Sequence, residues 1–360
     1  MSCPSESALL SYVEGRTPAA DRADVERHLA GCDECRSLVS ILAKTSLVGR
    51  TPAGSLELGA TAPATDLAPP SDPVPRPGDL LAGKYRVERV LGAGGMGIVV
   101  SAIHEQLRER VAIKTMRREA CKMHGAVDRF LREARACVKV KSENVVRVLD
   151  TGTLPDGAPF MVMEHLDGED LAATLERRGP LPPDVAVDYL VQACEAIAEA
   201  HALGIVHRDL KPANLFLTKR ADGSPLVKVL DFGISKALEE ASAEFALTRS
   251  QSLLGSPLYM SPEQMRSSKS VDERSDIWSI GVLLHELLTA RHPFESDTIP
   301  GLVFQVTMED PTPIRTHRAD VAEGIEAIIA RCLAKKPDDR YPNVAELALD
   351  LEPYGGDAVR

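Results

Sequence analysis

Hydrophobic positions along this chain change their spacing several times. The segments "KYRVERVLG", "GIVVSAIH" and "RVAIKTM" are short and rich in β-branched residues, with glycine and charged turns between them. This pattern predicts a small antiparallel sheet. "AVDRFLREARACVKV" has helical spacing, with Val127, Phe130, Leu131 and Ala134 on one face. "NVVRVLDTG" and "PFMVMEHL" then return to the pattern of strands.

Helical patterns dominate after Leu171. The clearest are "DVAVDYLVQACEAIAEAHALG", "RSDIWSIGVLLHELLTA" and "GIEAIIARCLAKK". A sheet-rich lobe is therefore followed by a helix-rich lobe, which predicts an α+β fold with a cleft between the lobes.

Two shifts in composition divide the chain into three parts. Residues 1–48 predict a small module of short helices, and residues 49–78 are rich in proline and alanine, with "APPSDPVPRPGD" as the clearest stretch. Such a segment buries too little apolar surface to offset its ordering entropy, so we expect a disordered linker. Residues 79–352 form the large domain, with an N-lobe over about 79–166 and a C-lobe over about 167–352.

Charge and cysteine content narrow the functional class. A formal net charge of −11 argues against a broad surface for nucleic acid or anionic membranes. No window approaches the roughly 18 consecutive apolar residues of a membrane span, and the N-terminus lacks the features of a secretory signal. These observations predict a cytoplasmic protein. Seven cysteines, three of them near the N-terminus, indicate metal ligands or isolated thiols in a reducing compartment.

A glycine-rich segment and a lysine occur in the first lobe. Gly92, Gly94 and Gly97 have G-x-G-x-x-G spacing, which lets backbone N–H groups approach an anion. Because a second strand follows them, they predict a hairpin flap and not a dinucleotide-binding turn. Lys114 ends "VAIK", and Glu133 in the following helix could pair with it. Taken singly, a plain turn and a surface ion pair are the simpler explanations of these residues.

Two acidic motifs occur in the second lobe. "HRDLKPAN" places Asp209 between Arg208 and Lys211 and adds Asn214, and "DFG" places Asp231 directly after the apolar strand "LVKVL". Carboxylate and amide oxygens suit a hard cation such as Mg²⁺. A solvated loop and a turn aspartate are the alternatives for each motif alone.

In this order, the motifs from about Tyr85 to Leu351 resemble the eukaryotic-type (Hanks-type) protein kinase family, in its bacterial Ser/Thr branch. The resemblance implies a two-lobed kinase fold and transfer of the γ-phosphoryl group of ATP to Ser/Thr hydroxyls of proteins. It also implies Mg²⁺ as cofactor and a role in bacterial signal transduction. Lys211 within the catalytic loop is characteristic of Ser/Thr kinases.

The resemblance also implies a role for each matching residue. Asp209 would be the catalytic base, Lys211 would offset phosphoryl charge, Glu133 would hold Lys114 on the α/β-phosphates, and Asn214 and Asp231 would hold Mg²⁺. The remaining nucleotide contacts would come from Leu91, Gly92, Gly94, Gly97, Val99, Ala112, the gatekeeper Met163, the hinge residues Glu164 and Leu166, and Asp170.

The activation loop would run from about Asp231 to Glu263, and we expect autophosphorylation within it. Thr248, Ser250 and Ser252 are the acceptors that Arg208 could grip once they are phosphorylated; an unmodified loop is the alternative. Ser256 and the "SPE" motif depart mildly from the family pattern. Three further residues match structural positions of the family: Glu263 and Arg340 as a buried ion pair, and Asp276 as a carboxylate that orients the catalytic loop.

The N-terminal module carries Cys3, His28, Cys32 and Cys35. The H-x₃-C-x₂-C spacing can bring three ligands together where one helix ends, near Gly31, and the next begins; Cys3 could complete a tetrahedral Cys₃His zinc site. The module's apolar residues are few, so a metal would supply missing stability. They are Leu9, Leu10, Val13, Leu29, Leu38 and Leu42.

This stretch resembles the zinc-finger module of bacterial anti-sigma factors. The resemblance implies a structural Zn²⁺ and a protein partner, either a sigma factor or the kinase lobe itself. A metal-free helical hairpin and a redox switch at Cys32 and Cys35 are the alternatives.

Two other functions compete with catalysis. In one, the kinase domain is an inactive scaffold; in the other, a sigma-factor-binding module carries the main role. An inactive domain would normally lack Lys114, Asp209 or Asp231, and all three are present. The sequence is also compatible with a dimer.

Overall fold

The computed structural model of the chain describes residues 3–47, 74–95, 97–232, 257–266 and 271–356. These residues form two compact units. The first comprises the described residues of 1–48, 135–146 and 167–360, and the second those of 49–134 and 147–166. Most of the predicted linker lies outside the described residues, as do the four activation-loop residues Thr248, Ser250, Ser252 and Ser256.

A six-stranded antiparallel sheet forms the second unit, in the order β1-β2-β3-β4-β6-β5. The strands are β1 (Leu80–Leu81), β2 (Tyr85–Ala93), β3 (Gly97–His104), β4 (Arg110–Met116), β5 (Val148–Thr153) and β6 (Pro159–Glu164). The unit also contains helix α4 (Arg118–Cys121) and residues 126–134 of helix α5 (Ala126–Lys139). The antiparallel sheet predicted from the short β-branched segments is confirmed.

The two faces of this sheet differ in composition because side chains alternate along each strand. One face carries the apolar core of the unit. This core consists of Tyr85, Val87, Ile98, Val100, Ala102, Val111, Ile113, Phe160 and Val162. The alternate positions of β3, β4 and β6 lie on the opposite face, where four of the predicted nucleotide contacts occur.

The strand predicted over "NVVRVLDTG" begins later than expected. Strand β5 starts at Val148, and residues 144–146 instead run beside a strand of the first unit. There Asn144 Nδ2 donates to the Val227 carbonyl at 2.9 Å, and Val146 N–H donates to the Val229 carbonyl at 3.1 Å. The valines gave the segment a strand pattern because they are buried, but their neighbours belong to another sheet.

Helices make up most of the first unit. They are α1 (Glu6–Val13), α2 (Ala19–Gly31), α3 (Asp33–Leu47), α6 (Leu171–Arg178), α7 (Pro183–Ala202), α8 (Pro262–Arg266), α9 (Arg274–Thr289), α10 (Ile299–Met308), α11 (Glu323–Cys332) and α12 (Val344–Leu351). A three-stranded sheet of β7 (Glu169–Asp170), β8 (Leu215–Lys219) and β9 (Pro225–Val229) accompanies them. Helix α9 is almost completely buried, including Trp278, and lies against α7, α11 and α12.

Helices α1, α2 and α3 share an apolar core with helix α10. The predicted core residues Leu9, Leu29, Leu38 and Leu42 are buried, and Leu10 and Val13 pack against them, which confirms this part of the prediction. Val303 and Phe304 of α10 belong to the same cluster. Among the described residues, no helix is long and apolar enough to cross a bilayer.

Candidate active site and metal site

The glycine-rich segment is the turn of the β2–β3 hairpin. Gly94 N–H donates to the Gly97 carbonyl at 2.9 Å, which closes the turn. A Cβ atom on Gly97 would lie 2.5 Å from the backbone oxygen of Thr115, whereas Gly92 and Gly94 have no neighbouring atom within 4 Å of that position. Gly97 is thus required by the close approach of β4, and the other two leave the space beside the turn open. The predicted hairpin is confirmed.

Four of the predicted nucleotide contacts lie on one face of the sheet. Val99 is paired with Lys114, and Ala112 is paired with Met163. Because directly paired residues share a face, as do residues two apart on a strand, these four side chains lie on the face opposite the apolar core. The face combines apolar side chains that suit an aromatic base with a single ammonium group that suits phosphate.

Helix α5 positions the partner of Lys114. The Nζ atom of Lys114 lies 2.8 Å from Glu133 Oε1, and the exposed fractions of the two side chains are 19% and 9%. Burial of Phe130 and Ala134 orients α5 so that Glu133 points inward. This ion pair is more sheltered from solvent than an ordinary surface pair, so it fixes the ammonium group in one place.

The remaining predicted contacts of the second unit lie at its strand ends. Glu164 ends β6, and its N–H donates to the Arg147 carbonyl at 3.0 Å while its carboxylate accepts from Arg147 N–H at 2.8 Å. Leu166 follows it and is half-buried. Leu91, on β2, is 40% exposed.

Asp170 also has a structural role, which we did not predict from the sequence. It is the N-cap of α6, and its Oδ1 accepts from Ala173 N–H at 2.8 Å. This bond satisfies one of the free N–H groups of the helix terminus. The signal was present in the sequence, because an aspartate directly precedes the helical segment "LAATLERR".

The loop "HRDLKPAN" brings two predicted catalytic residues together with one predicted Mg²⁺ ligand. Lys211 Nζ lies 3.0 Å from Asp209 Oδ2. Asn214 Nδ2 donates to the Asp209 carbonyl at 2.8 Å. Because its nitrogen is used in this way, the amide of Asn214 can present its oxygen to a cation.

A buried carboxylate holds the start of this loop. Asp276 is fully buried and accepts from His207 N–H and from Arg208 N–H, each at 2.8 Å. Its Oδ2 also lies 2.7 Å from His201 Nε2. Arg208 has a φ of +66°, which the two bonds to Asp276 maintain. The predicted orienting role of Asp276 therefore agrees with its contacts.

His207 is neutral because of its burial and its two hydrogen bonds. Its Nδ1 accepts from Asp209 N–H at 3.3 Å, so Nε2 carries the proton and donates to the Leu230 carbonyl at 3.0 Å. Burial lowers the pKa of the imidazole below its ordinary value, and the nearby carboxylates of Asp276 and Asp209 only partly oppose this. A neutral His207 leaves the negative charge of Asp209 unopposed from that side.

Asp231 lies two residues beyond the end of β9 and has a left-handed backbone conformation. Its φ is +46°, which is costly for a residue with a side chain and is typical of functional sites. Leu230 N–H donates to the Asn214 carbonyl at 2.8 Å, which joins the two predicted Mg²⁺ ligands through one backbone contact. Phe232 is fully buried and its ring lies 5.0 Å from the ring of His207.

Helix α8 is tied to the catalytic loop and to the end of the domain. Glu263 and Arg340 form a two-pronged ion pair with N–O distances of 2.7 and 2.9 Å, which agrees with the predicted pair. Burial alone would raise the pKa of Glu263, but the bond and the charge of Arg340 outweigh it and lower the pKa. Gln264 Nε2 donates to the Arg208 carbonyl at 2.9 Å, a contact that no sequence pattern indicated.

The four predicted zinc ligands lie together where α2 ends and α3 begins. The ligand atoms of Cys3, His28, Cys32 and Cys35 all lie within 4.8 Å of one another, and His28 Nε2 lies 3.3 Å from Cys35 Sγ. A tetrahedral zinc ion needs such atoms about 3.5–3.8 Å apart, so the set fits the metal after small side-chain movements. Helix α2 ends at Gly31, as predicted.

Cys35 is the buried member of this set of four. Its burial, followed by hydrogen bonds with Cys3 and Cys32, raises the pKa of the Cys35 thiol to about 12. A zinc ion held by these residues would supply the positive charge that stabilises the thiolate form of a cysteine ligand.

Comparisons with known proteins find matches to two separate parts of the chain. Residues 6–36 match a family model described as "Putative zinc-finger"; Cys3 lies just outside the match. The serine/threonine-protein kinase pkn3 of Myxococcus xanthus is 39% identical over 277 residues, covering 76% of this chain and 50% of the relative. The serine/threonine-protein kinase PknB of Mycolicibacterium smegmatis is 37% identical over 274 residues, covering 75% and 43%.

Solved structures and a second family model complete the comparison. The crystal structure of the Mycobacterium tuberculosis PknI kinase domain superposes with a TM-score of 0.59 at 25% identity, covering 78% of this chain and all of that one. The chain spans about half the length, or less, of the two curated relatives named above. Residues 85–349 match the model of the protein kinase domain, and the chain therefore belongs to the protein kinase family.

Proposed function

We propose that this chain is an ATP-dependent serine/threonine protein kinase that acts on protein substrates in bacterial signalling. The observation that carries the proposal is the geometry of the catalytic loop. Asp209, Lys211 and Asn214 are within hydrogen-bonding distance of one another, on a loop that buried Asp276 holds in place. Relatives named as Ser/Thr kinases support the choice of acceptor.

Two sets of residues would act on one nucleotide. In the second unit, the phosphates would be covered by Gly92, Gly94 and Gly97, and the ring by Leu91. Adenine would pack against Val99, Ala112 and Met163. Its edge would be met by Glu164 and Leu166, and Lys114 would bind phosphate oxygens. In the first unit, Asp170 would contact ribose, and Asn214 and Asp231 would hold Mg²⁺, which offsets phosphate charge when bound.

The proton transfer would fall to the catalytic loop. Asp209 would orient the acceptor hydroxyl and take its proton, while Lys211 would stabilise negative charge on the transferred group. Lys114, held by Glu133, would keep the nucleotide in register for the transfer. Catalysis by such a site depends on positioning and electrostatics rather than on a covalent intermediate.

The substitution Asp209→Asn tests this function. It preserves shape but removes the base, so we expect phosphotransfer to a generic protein substrate to fall by about 10²–10⁴-fold. Asp222→Asn is the matched control, because Asp222 is an exposed turn residue whose carboxylate accepts from the N–H and the hydroxyl of Ser224. Equal loss in both variants, or no loss in Asp209→Asn, would refute the assignment.

We also propose autophosphorylation between Asp231 and Glu263, with Thr248, Ser250 and Ser252 as acceptors. Three hydroxyl residues within five positions, followed by a loop end tied to Arg208 through Gln264, support it. Phosphosite mapping of active protein should find modification in this segment and none in Asp209→Asn. Active protein without any phosphate there would contradict the proposal.

For the N-terminal module we propose one structural zinc ion held by Cys3, His28, Cys32 and Cys35. The convergence of the four ligand atoms supports it. Metal analysis of reduced full-length chain should give one zinc per chain, and Cys32→Ser should lose it. A metal-free wild-type protein under reducing conditions would end this proposal.

A sigma factor and a second copy of the chain are further partners that we propose for testing. The module's resemblance to anti-sigma-factor zinc fingers motivates the first. Co-purification of sigma factors with wild type, lost in Cys32→Ser, would support it, and sedimentation of the purified chain would establish whether it dimerises. Capture of no sigma factor by zinc-loaded protein would exclude that partner.

A further inference from the structure

The zinc-finger helices cover one side of the kinase C-lobe. Leu38, Ile41 and Leu42 of α3 belong to the same buried cluster as Val303 and Phe304 of α10, and the exposed fractions of Val303 and Phe304 are 1% and 7%. Both α1 and α3 contact α10, and α3 also contacts α8. The apolar side of α10 is therefore buried by another part of the same chain.

The metal site and this interface lie on the same side of α3. Cys35, Leu38 and Leu42 are three and four positions apart, so they share one helical face. Each is at most 1% exposed. The helix begins at the metal site, with its first turn carrying Cys35, and continues directly into the apolar positions that cover α10. Whatever fixes the start of α3 also fixes its orientation on α10.

The module has little else to hold it together. Its buried apolar side chains are few, and two of the residues in the cluster, Cys32 and Cys35, are themselves metal ligands. A domain of this size usually needs a metal or disulfide to fold. Because metal binding and folding are coupled in such modules, removal of the ion should free α3 and with it the cover on α10.

Two further contacts connect this interface to the kinase domain. Met265 of α8 packs against the cluster, and its neighbour Gln264 donates to the Arg208 carbonyl in the catalytic loop. At the other end, Glu6 of α1 approaches the first turn of α10, where its Oε1 would lie 3.0 Å from a Cβ on Gly301. Negative charge at a helix N-terminus is favourable.

We propose that metal occupancy of the N-terminal module controls whether the apolar face of α10, together with the end of α8, is covered. With the ion bound, α3 lies on Val303, Phe304 and Met265. Without it, the module separates and this face becomes exposed to solvent. The inference rests on the proposed zinc site but makes a separate claim, namely that the module is a metal-dependent cover for the kinase C-lobe.

Hydrogen exchange of the full-length chain tests the claim. We expect amides of α10 to exchange at least about tenfold faster after a chelator removes zinc, with a smaller rise in α8. Amides of β4 in the other unit should not change and serve as the internal reference. Zinc content is measured on the same samples. Unchanged exchange in α10 after demonstrated loss of zinc would overturn the inference while leaving the zinc site intact.

A substitution in the interface tests the same claim with the metal ligands unaltered. Leu42→Asp places a charge in the buried cluster, and we expect it to raise exchange in α10 as chelation does, whether or not zinc is retained. Ser40→Asp is the matched control, because Ser40 is exposed on the same helix and receives the same charge. Protection of α10 that survives Leu42→Asp would overturn the inference. A wild-type chain without zinc would remove both the metal site and this proposal.

Discussion

The ion pair between Glu263 and Arg340 allows a quantitative test of the C-lobe. The Arg340 side chain is fully buried and that of Glu263 is 10% exposed. Beyond its two bonds to Glu263, Arg340 donates to the Ala334 and Arg274 carbonyls at 2.8 and 2.9 Å. Glu263 also accepts from Ser275 Oγ at 2.6 Å.

The substitution Glu263→Gln would leave the buried guanidinium without its counter-charge. Removal of one partner from a buried pair costs about 3–5 kcal/mol, and the carbonyl bonds that Arg340 keeps favour the lower end. We therefore expect the free energy of unfolding to fall by about 3 kcal/mol.

The effect should depend on pH in a defined direction. The pKa of Glu263 in the folded chain is lowered from 4.5. The stabilisation by the carboxylate is therefore complete above pH 4.5 and is lost as the pH falls through the folded pKa. The difference between wild type and Glu263→Gln should be constant near neutral pH and shrink in acid.

Denaturant unfolding followed by Trp278 fluorescence measures this change. Trp278 is the only tryptophan of the chain, is fully buried, and lies 5.1 Å from the Arg340 guanidinium. Glu143→Gln is the matched control, since Glu143 pairs with Arg220 at 2.8 Å but is 59% exposed; its cost should be about 0–1 kcal/mol. Equal losses of unfolding free energy in the two variants would refute the argument that burial makes the pair of Glu263 and Arg340 strongly stabilising.

Three other changes have expected outcomes. Gly97→Ala should destabilise the β2–β3–β4 sheet by about 1–3 kcal/mol, because its methyl group would meet a β4 carbonyl. Gly94→Ala has open space and should cost less than about 0.5 kcal/mol. Hydrogen exchange of β3 measures both effects, and equal effects would contradict the steric argument. Glu133→Gln should lower kcat by about 10²-fold with the fold retained, because Lys114 loses its fixed position; steady-state kinetics with circular dichroism checks this, and unchanged kcat would contradict it. Burial raises the pKa of Glu286 to about 7, so the stability due to its neutral form is complete below pH 4.5 and is lost as the pH rises to 7. Relative to wild type, the free energy of unfolding of Glu286→Gln should therefore increase by about 3 kcal/mol between pH 4 and pH 8. A difference in unfolding free energy that does not depend on pH would be inconsistent with that pKa.

Sequence patterns predicted which segments form strands better than they predicted which segments lie beside one another in the fold. The segments "GIVVSAIH" and "RVAIKTM" became β3 and β4 with the expected bounds, because short segments rich in β-branched residues between glycine and charged turns favour strands. The segment from Asn144 failed because burial of Val145 and Val146 gives the same pattern whichever sheet lies beside them. Asp170 was assigned only to the nucleotide, although its place before a helix also favoured an N-cap.

The docking of the zinc-finger helices is a second case in which a sequence pattern indicated burial but not the packing partner. "LVFQVTM" in α10 is apolar on more than one side, which indicates that two neighbours bury it. The pattern does not identify the two neighbours. That Val303 and Phe304 share a buried cluster with Leu38 and Leu42 is evident only from the folded chain.

The sequence by itself determined the family and the order of the lobes, and it was sufficient to predict the catalytic motifs and the four candidate metal ligands, because these depend on residue type and spacing over short distances. Only the tertiary structure decided that Asp276 fixes the backbone of the catalytic loop, that Gln264 ties α8 to Arg208, and that the N-terminal helices lie on α10. These contacts join residues far apart in sequence. Burial makes such contacts favourable between any complementary surfaces, and the path of the whole chain selects which ones meet.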